Sequence, residues 1–127
     1  MNTDKKELLS RLVVPVVVSN GGSAHRLAFR LYMKYGVCPM LCGVRKNALD
    51  LFDPCCEFLR VPDGGGDLLV RALKDLSEEM SDYILILIPA EERDRLFLEE
   101  RADELESFYI LVSSYEQFGE LPSIKFA

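Results

Sequence analysis

Residues 13–19 read VVPVVVS and residues 83–89 read YILILIP. Both runs are apolar at nearly every position instead of at alternate ones, so a strand built from either must be buried on both faces. In a chain of 127 residues that demand points to the interior of a parallel sheet with helices packed on each side. Neither run approaches the roughly 20 apolar residues of a membrane-spanning helix. Pro15 interrupts the first run and has no N–H to donate, so it belongs near the start of its strand or where that hydrogen bond is not needed.

Between and beyond these runs the pattern changes to a helical period. Asp4 and Glu7 have the spacing of a capping box, which predicts a short helix over residues 5–11. Ala24, Leu27, Ala28, Leu31, Tyr32 and Tyr35 trace one buried helical stripe, and Gly36 stands where a left-handed residue ends a helix. Residues 37–44 read as a second strand and residues 56–61 as a weaker third one at an edge. Pro62 to Gly66 form a turn before Asp67, which caps a helix with its stripe at Leu69, Ala72, Leu73, Leu76 and Met80. Residues 91–106 predict a surface helix whose charges face solvent, with a seam at Leu98, Ala102 and Leu105. Residues 109–113 read as the last strand, and Gly119 and Pro122 break any long element after it. The sum is a single α/β domain over residues 1–127, a three-layer Rossmann-like sandwich with a mostly parallel sheet of about five strands.

Composition narrows the partners. Fifteen Lys and Arg oppose 21 Asp and Glu, a net charge of −6 that argues against a nucleic-acid backbone, whose binding depends on clustered cations. The polar start of the chain has no signal-peptide core, and a cytoplasmic protein without a membrane partner is expected. Cys38, Cys42, Cys55 and Cys56 include no CxxC pair, and the one histidine, His25, lies in another segment, so free thiols are expected in place of a zinc site. Within a strand over residues 37–44, Cys38 and Cys42 would share a face.

Ligands of open parallel sheets gather at the carboxyl ends of the strands, where the strand order reverses. That rule selects residues 19–25, 44–46 and 89–92. The loop Asn20-Gly21-Gly22-Ser23, running from strand to helix with His25 on the first helical turn, has the arrangement that aims backbone N–H groups at an anion. It is equally a tight turn that lets the helix pack on the sheet. Ser23 and Arg26 stand where a dinucleotide fingerprint needs glycines, and no acidic residue ends the second strand, so NAD is not expected. Arg45 with Lys46 is the cationic pair nearest that position. No P-loop and no serine-hydrolase elbow is present.

Residues 14–30 (VPVVVSNGGSAHRLAFR), the Tyr35-Gly36-Val37 turn and the later segments DLLVRALKDLSEE, YILILIPAEE and YILVSSYEQF resemble the opening of ATP-grasp ligases of the carbamoyl-phosphate synthase large-chain type, nearest to the D-aspartate ligase-like branch. The resemblance covers residues 12–118. It implies the pre-ATP-grasp domain, a Rossmann-like unit that borders the substrate pocket, with Asn20, Gly21, Gly22 and Ser23 beside a small carboxylate or amino-acid ligand; His25 and Arg45, selected by their places after the strands, complete the expected binding set. It further implies that no cofactor is held by this chain, ATP and Mg being bound by a catalytic domain outside it, and that the chain alone does not turn over substrate. The alternative from the residues themselves is a stand-alone module that binds a small anion or nucleotide, or that self-associates as a homodimer through an exposed face.

Overall fold

A computed structural model of the chain describes residues 13–19, 24–43, 57–61 and 66–120. The elements are β1 (Val13–Val18), α1 (Ala24–Tyr35), β2 (Met40–Gly43), β3 (Glu57–Arg60), α2 (Gly66–Glu79), β4 (Ile84–Pro89), α3 (Glu92–Glu100), α4 (Ala102–Leu105), β5 (Ile110–Leu111) and α5 (Tyr115–Gly119). Four parallel strands in the order β2-β1-β4-β5 make the body of the sheet, and β3 extends it in parallel along the outer edge of β2.

The two-sided apolar runs occupy the centre. Every residue of β1 is buried. Val14, Val16 and Val18 belong to the face that carries Leu73 and Leu76 of α2, Leu98 of α3 and Leu105 of α4. Val13 and Val17 belong to the opposite face, under Leu27 and Leu31 of α1 and Phe118 of α5. The sheet is therefore sandwiched between helices, the Rossmann-like arrangement expected from the sequence. The step from β1 to β2 passes through α1 on one face, and the step from β4 to β5 passes through α3 and α4 on the other, as right-handed crossovers in opposite directions require. The strand order thus reverses between β1 and β4. Among the described residues no helix is long and apolar enough to cross a membrane.

Pro15 meets the condition set for it. The Ser19 N–H donates to the Cys42 carbonyl at 3.1 Å, so alternation along β1 turns position 15 toward the same neighbour, β2. Pairing with β2 starts only at Val16, opposite Met40, so the missing donor faces a place where the ladder has not begun.

Four expectations are corrected. The second strand starts at Met40 instead of residue 37, because Pro39 has no N–H for the ladder. Cys38 consequently lies before the strand and is exposed while Cys42 is buried, so the two do not share a face. The helix expected over residues 91–106 divides at Arg101, whose backbone turns to φ −104° and ψ 15° and whose guanidinium pairs with Asp67 of α2 at 2.8 Å. The last strand keeps only Ile110 and Leu111. The helix expected over residues 5–11 lies outside the described residues, as do Cys55 and Cys56.

Gly36 ends α1 at φ 67°, with its N–H donating to the Tyr32 carbonyl at 2.8 Å. A Cβ there would touch nothing, so substitution reports backbone strain alone. Gly36→Ala should lower the urea-unfolding free energy by about 1 kcal/mol and Gly36→Asn by less, since Asn tolerates this conformation better. Equal stability of all three proteins would refute the left-handed cap.

Burial pushes the Cys42 thiol up from 9.0 to about 12, and burial, with Cys42 nearby as a lesser cause, also raises Tyr109, whose hydroxyl donates to the Leu73 carbonyl at 2.6 Å. Both groups hold their protons more tightly folded than unfolded. Their contribution to stability is complete below pH 9, the Cys42 unfolded value, and is lost as pH rises through the folded values. Iodoacetamide at pH 8 should therefore modify exposed Cys38 and leave Cys42 untouched until urea unfolds the chain; equal rates at the two thiols would contradict the burial.

Candidate functional site

The carboxyl edge of the sheet is drawn tight around β1. Ala90 N–H donates to the Val18 carbonyl at 3.0 Å, and the Ser19 N–H reaches β2, so both ladders continue past the strand's last residue. Gly43 makes the second approach feasible, because a Cβ at this position would sit on the Ser19 carbonyl oxygen. Ser19 is buried. The chain leaves β1 at the reversal of strand order, where open α/β sheets place their ligands.

A cleft of about 360 Å³ opens at this edge, on the α1 side. Three pieces of chain wall it: the first turns of α1 with Arg26 and Arg30, the junction of β4 and α3 with Pro89 to Glu92 and Arg95, and the turn into α5 with Ser113, Ser114, Tyr115 and Glu116. Each piece is fixed from below. Leu27 and Leu31 bury the inner stripe of α1. The start of α3 is closed by a reciprocal capping box in which the Asp94 carboxylate accepts the Glu91 N–H at 3.1 Å, with Asp94 only 1% exposed. The start of α5 is capped by Ser114, whose hydroxyl accepts the Gln117 N–H at 3.1 Å, while the Gln117 side-chain carbonyl accepts the Ser113 N–H. Phe118 then anchors α5 edge-on to Tyr35 of α1, ring centroids 5.4 Å apart.

The charges in the cleft are of two kinds, spent and unspent. Arg95 is spent: its guanidinium donates to Glu92 and, at 2.6 Å, to Glu99. The hydrogen bond from Arg95 holds the Glu92 carboxyl below the usual carboxylate range, and the same bonds, to Glu92 first, raise Arg95 further. Glu91 accepts from Arg93 at 3.2 Å. Arg30 lies with its guanidinium carbon 4.0 Å from the centroid of the Tyr115 ring. A guanidinium carries five N–H donors, more than one ring can engage, so the contact leaves donors for a ligand. Neither Arg26 nor Arg30 pairs with a carboxylate among the described residues. Among the described residues no three His, Cys, Asp or Glu side chains are grouped to hold a metal ion.

Of the segments selected from sequence, residues 89–92 line the cleft. His25 lies on the first turn of α1, one residue before Arg26. Asn20, Gly21, Gly22, Ser23 and Arg45 lie outside the described residues. Sequence reasoning missed Arg26, Arg30, Arg95 and the whole turn into α5. The turn carried a signal: Ser114-x-x-Gln117 has the capping-box spacing and marks a helix start. Arg26 and Arg30 carried a weaker one, being one turn apart and off the buried stripe.

No protein-family model matches the chain, and no curated protein matches it.

Proposed function

We propose that the chain is a binding domain that holds the acidic group of a small molecule in the cleft between α1, α3 and α5, and that it performs no turnover by itself. The observation that carries this reading is the pair Arg26 and Arg30, two cations on one wall of a cleft at the ligand edge of the fold, with no carboxylate partner among the described residues. In a chain of net charge −6, α1 contains three cations and no acid. Of the carboxylates that line the cleft, Glu91 and Glu92 pair with Arg93 and Arg95 of α3, which offsets their charge beside α1 and leaves Glu116 at the start of α5.

The resemblance of residues 12–118 to pre-ATP-grasp domains supports the same role in a larger setting. There the unit forms the substrate side of a ligase, with ATP and Mg bound by another domain. Calorimetry at low ionic strength should give saturable binding of small anions, with phosphate, succinate and glutamate as probes, and Arg26→Glu should abolish it. Heats of dilution alone for all three would overturn the reading. With ATP, magnesium and amino acids the isolated chain should form no ADP; steady turnover would overturn the non-catalytic part.

A further inference from the structure

We infer that the anionic group the cleft is built for is a doubly charged tetrahedral oxyanion, the phosphoryl group of a small phosphate ester, gripped by Arg26 and Arg30 together, with Tyr115 as the residue that positions Arg30. The inference rests on the binding role proposed above and specifies its ligand.

The charge inventory of the cleft leads to it. Arg95 has both its carboxylates, and Glu91 and Glu92 have their arginines. What remains on the α1 wall is two arginines with no carboxylate partner among the described residues. The two side chains leave the helix on successive turns, about 6 Å apart at Cβ. A single carboxylate is satisfied by one guanidinium through two parallel bonds and would leave the second arginine with nothing to do. A phosphoryl group offers three outer oxygens and close to two charges, enough for both. The wall at the turn into α5 favours one concentrated charge over a long polyanion, because Glu116 stands there beside Tyr115 and has no salt-bridge partner among the described residues.

Tyr115 acts through Arg30. An exposed arginine on a helix samples many rotamers, and fixing one lowers the entropy cost of binding. The ring at 4.0 Å supplies that restraint and leaves guanidinium donors for the ligand. The contact depends on the aromatic face and not on the hydroxyl, so phenylalanine should replace tyrosine here and leucine should not.

The test is an amide-resolved NMR titration at constant ionic strength, with inorganic phosphate, sulfate, glycerol phosphate and acetate as probes and the amides of Ala90, Ser113 and Ser114 as reporters. The three tetrahedral anions should bind about tenfold more tightly than acetate, one charge-assisted hydrogen bond being worth that factor. Arg26→Gln and Arg30→Gln should each weaken phosphate about tenfold and bring it to the acetate level. Tyr115→Phe should keep the wild-type phosphate affinity, and Tyr115→Leu should lose as much as Arg30→Gln, with both Tyr115 variants as thermally stable as each other. Acetate binding as tightly as phosphate would overturn the phosphoryl assignment and leave the anion-binding role standing. An unchanged affinity in Tyr115→Leu would overturn the positioning role. If no anion moves any cleft amide, both the inference and the role beneath it fall.

Discussion

Gly43→Ala should destabilise the fold by about 3 kcal/mol, the upper end of what one extra methyl costs in a packed interior. The added Cβ would overlap the Ser19 carbonyl oxygen, and the obstacle is backbone on both sides, so no side chain can rotate out of the way. The strain must be relieved by separating β1 from β2 at their carboxyl ends. Two hydrogen bonds lie at that point, Ser19 N–H to Cys42 at 3.1 Å and Val61 N–H to Gly43 at 2.9 Å. Urea unfolding measures the loss, and hydrogen exchange locates it: the Ser19 and Val61 amides should exchange faster while Ala90, on the β4 side, keeps its protection. The contrast with Gly36 is the control. There the cost is conformational and about 1 kcal/mol, because nothing lies within reach of a new Cβ. A loss at Gly43 no larger than at Gly36, with Ser19 exchange unchanged, would mean that the two strands do not approach this closely.

The same pair of glycines separates what local sequence discloses from what only the tertiary fold decides. Gly36 is legible because a left-handed helix end has a local signature, an apolar stripe that stops at a glycine. Gly43 is not, because its reason is an atom of another strand. The central strands are legible for a related cause: VVPVVVS and YILILIP are apolar on both faces, and only one environment accepts that pattern. The apolar pattern puts the start of β2 at residue 37 when it lies at 40, although Pro39 stands in plain view, because the pattern continues through the proline. The division of residues 91–106 at Arg101 carries no glycine or proline. Asp94 reads as part of a solvated charge run, yet it is buried as the third residue of a capped helix. In the cleft, residues 89–92 follow from topology alone, whereas the cation–π contact of Arg30 with Tyr115 joins α1 to α5 and has no trace in local sequence.

Phe118→Ala should remove one wall of the cleft while leaving the sheet intact. The helix α5 has five residues, far below the length at which a helix persists in water, so its place depends on what it docks against. Phe118, 1% exposed, is its buried residue and packs against Tyr35 at an interplanar angle of 87°. Truncating a buried phenylalanine costs about 3–5 kcal/mol where the surroundings stay in place. Here a cheaper route exists: the helix can release from α1 and take Tyr115 and Ser114 with it. The expected signature is therefore local. The amides of Phe118 and Glu120, bonded to Ser114 and Gln117 at 3.1 Å, should lose protection, while β1 and β4 amides lose little. Anion binding should fall together with this protection, because Arg30 loses its ring. Phe118→Leu, which keeps most of the buried surface, should retain both. If Phe118→Ala left the α5 amides protected and the thermal midpoint unchanged, α5 would be held by something other than this anchor, and the cleft's third wall would need a different physical account.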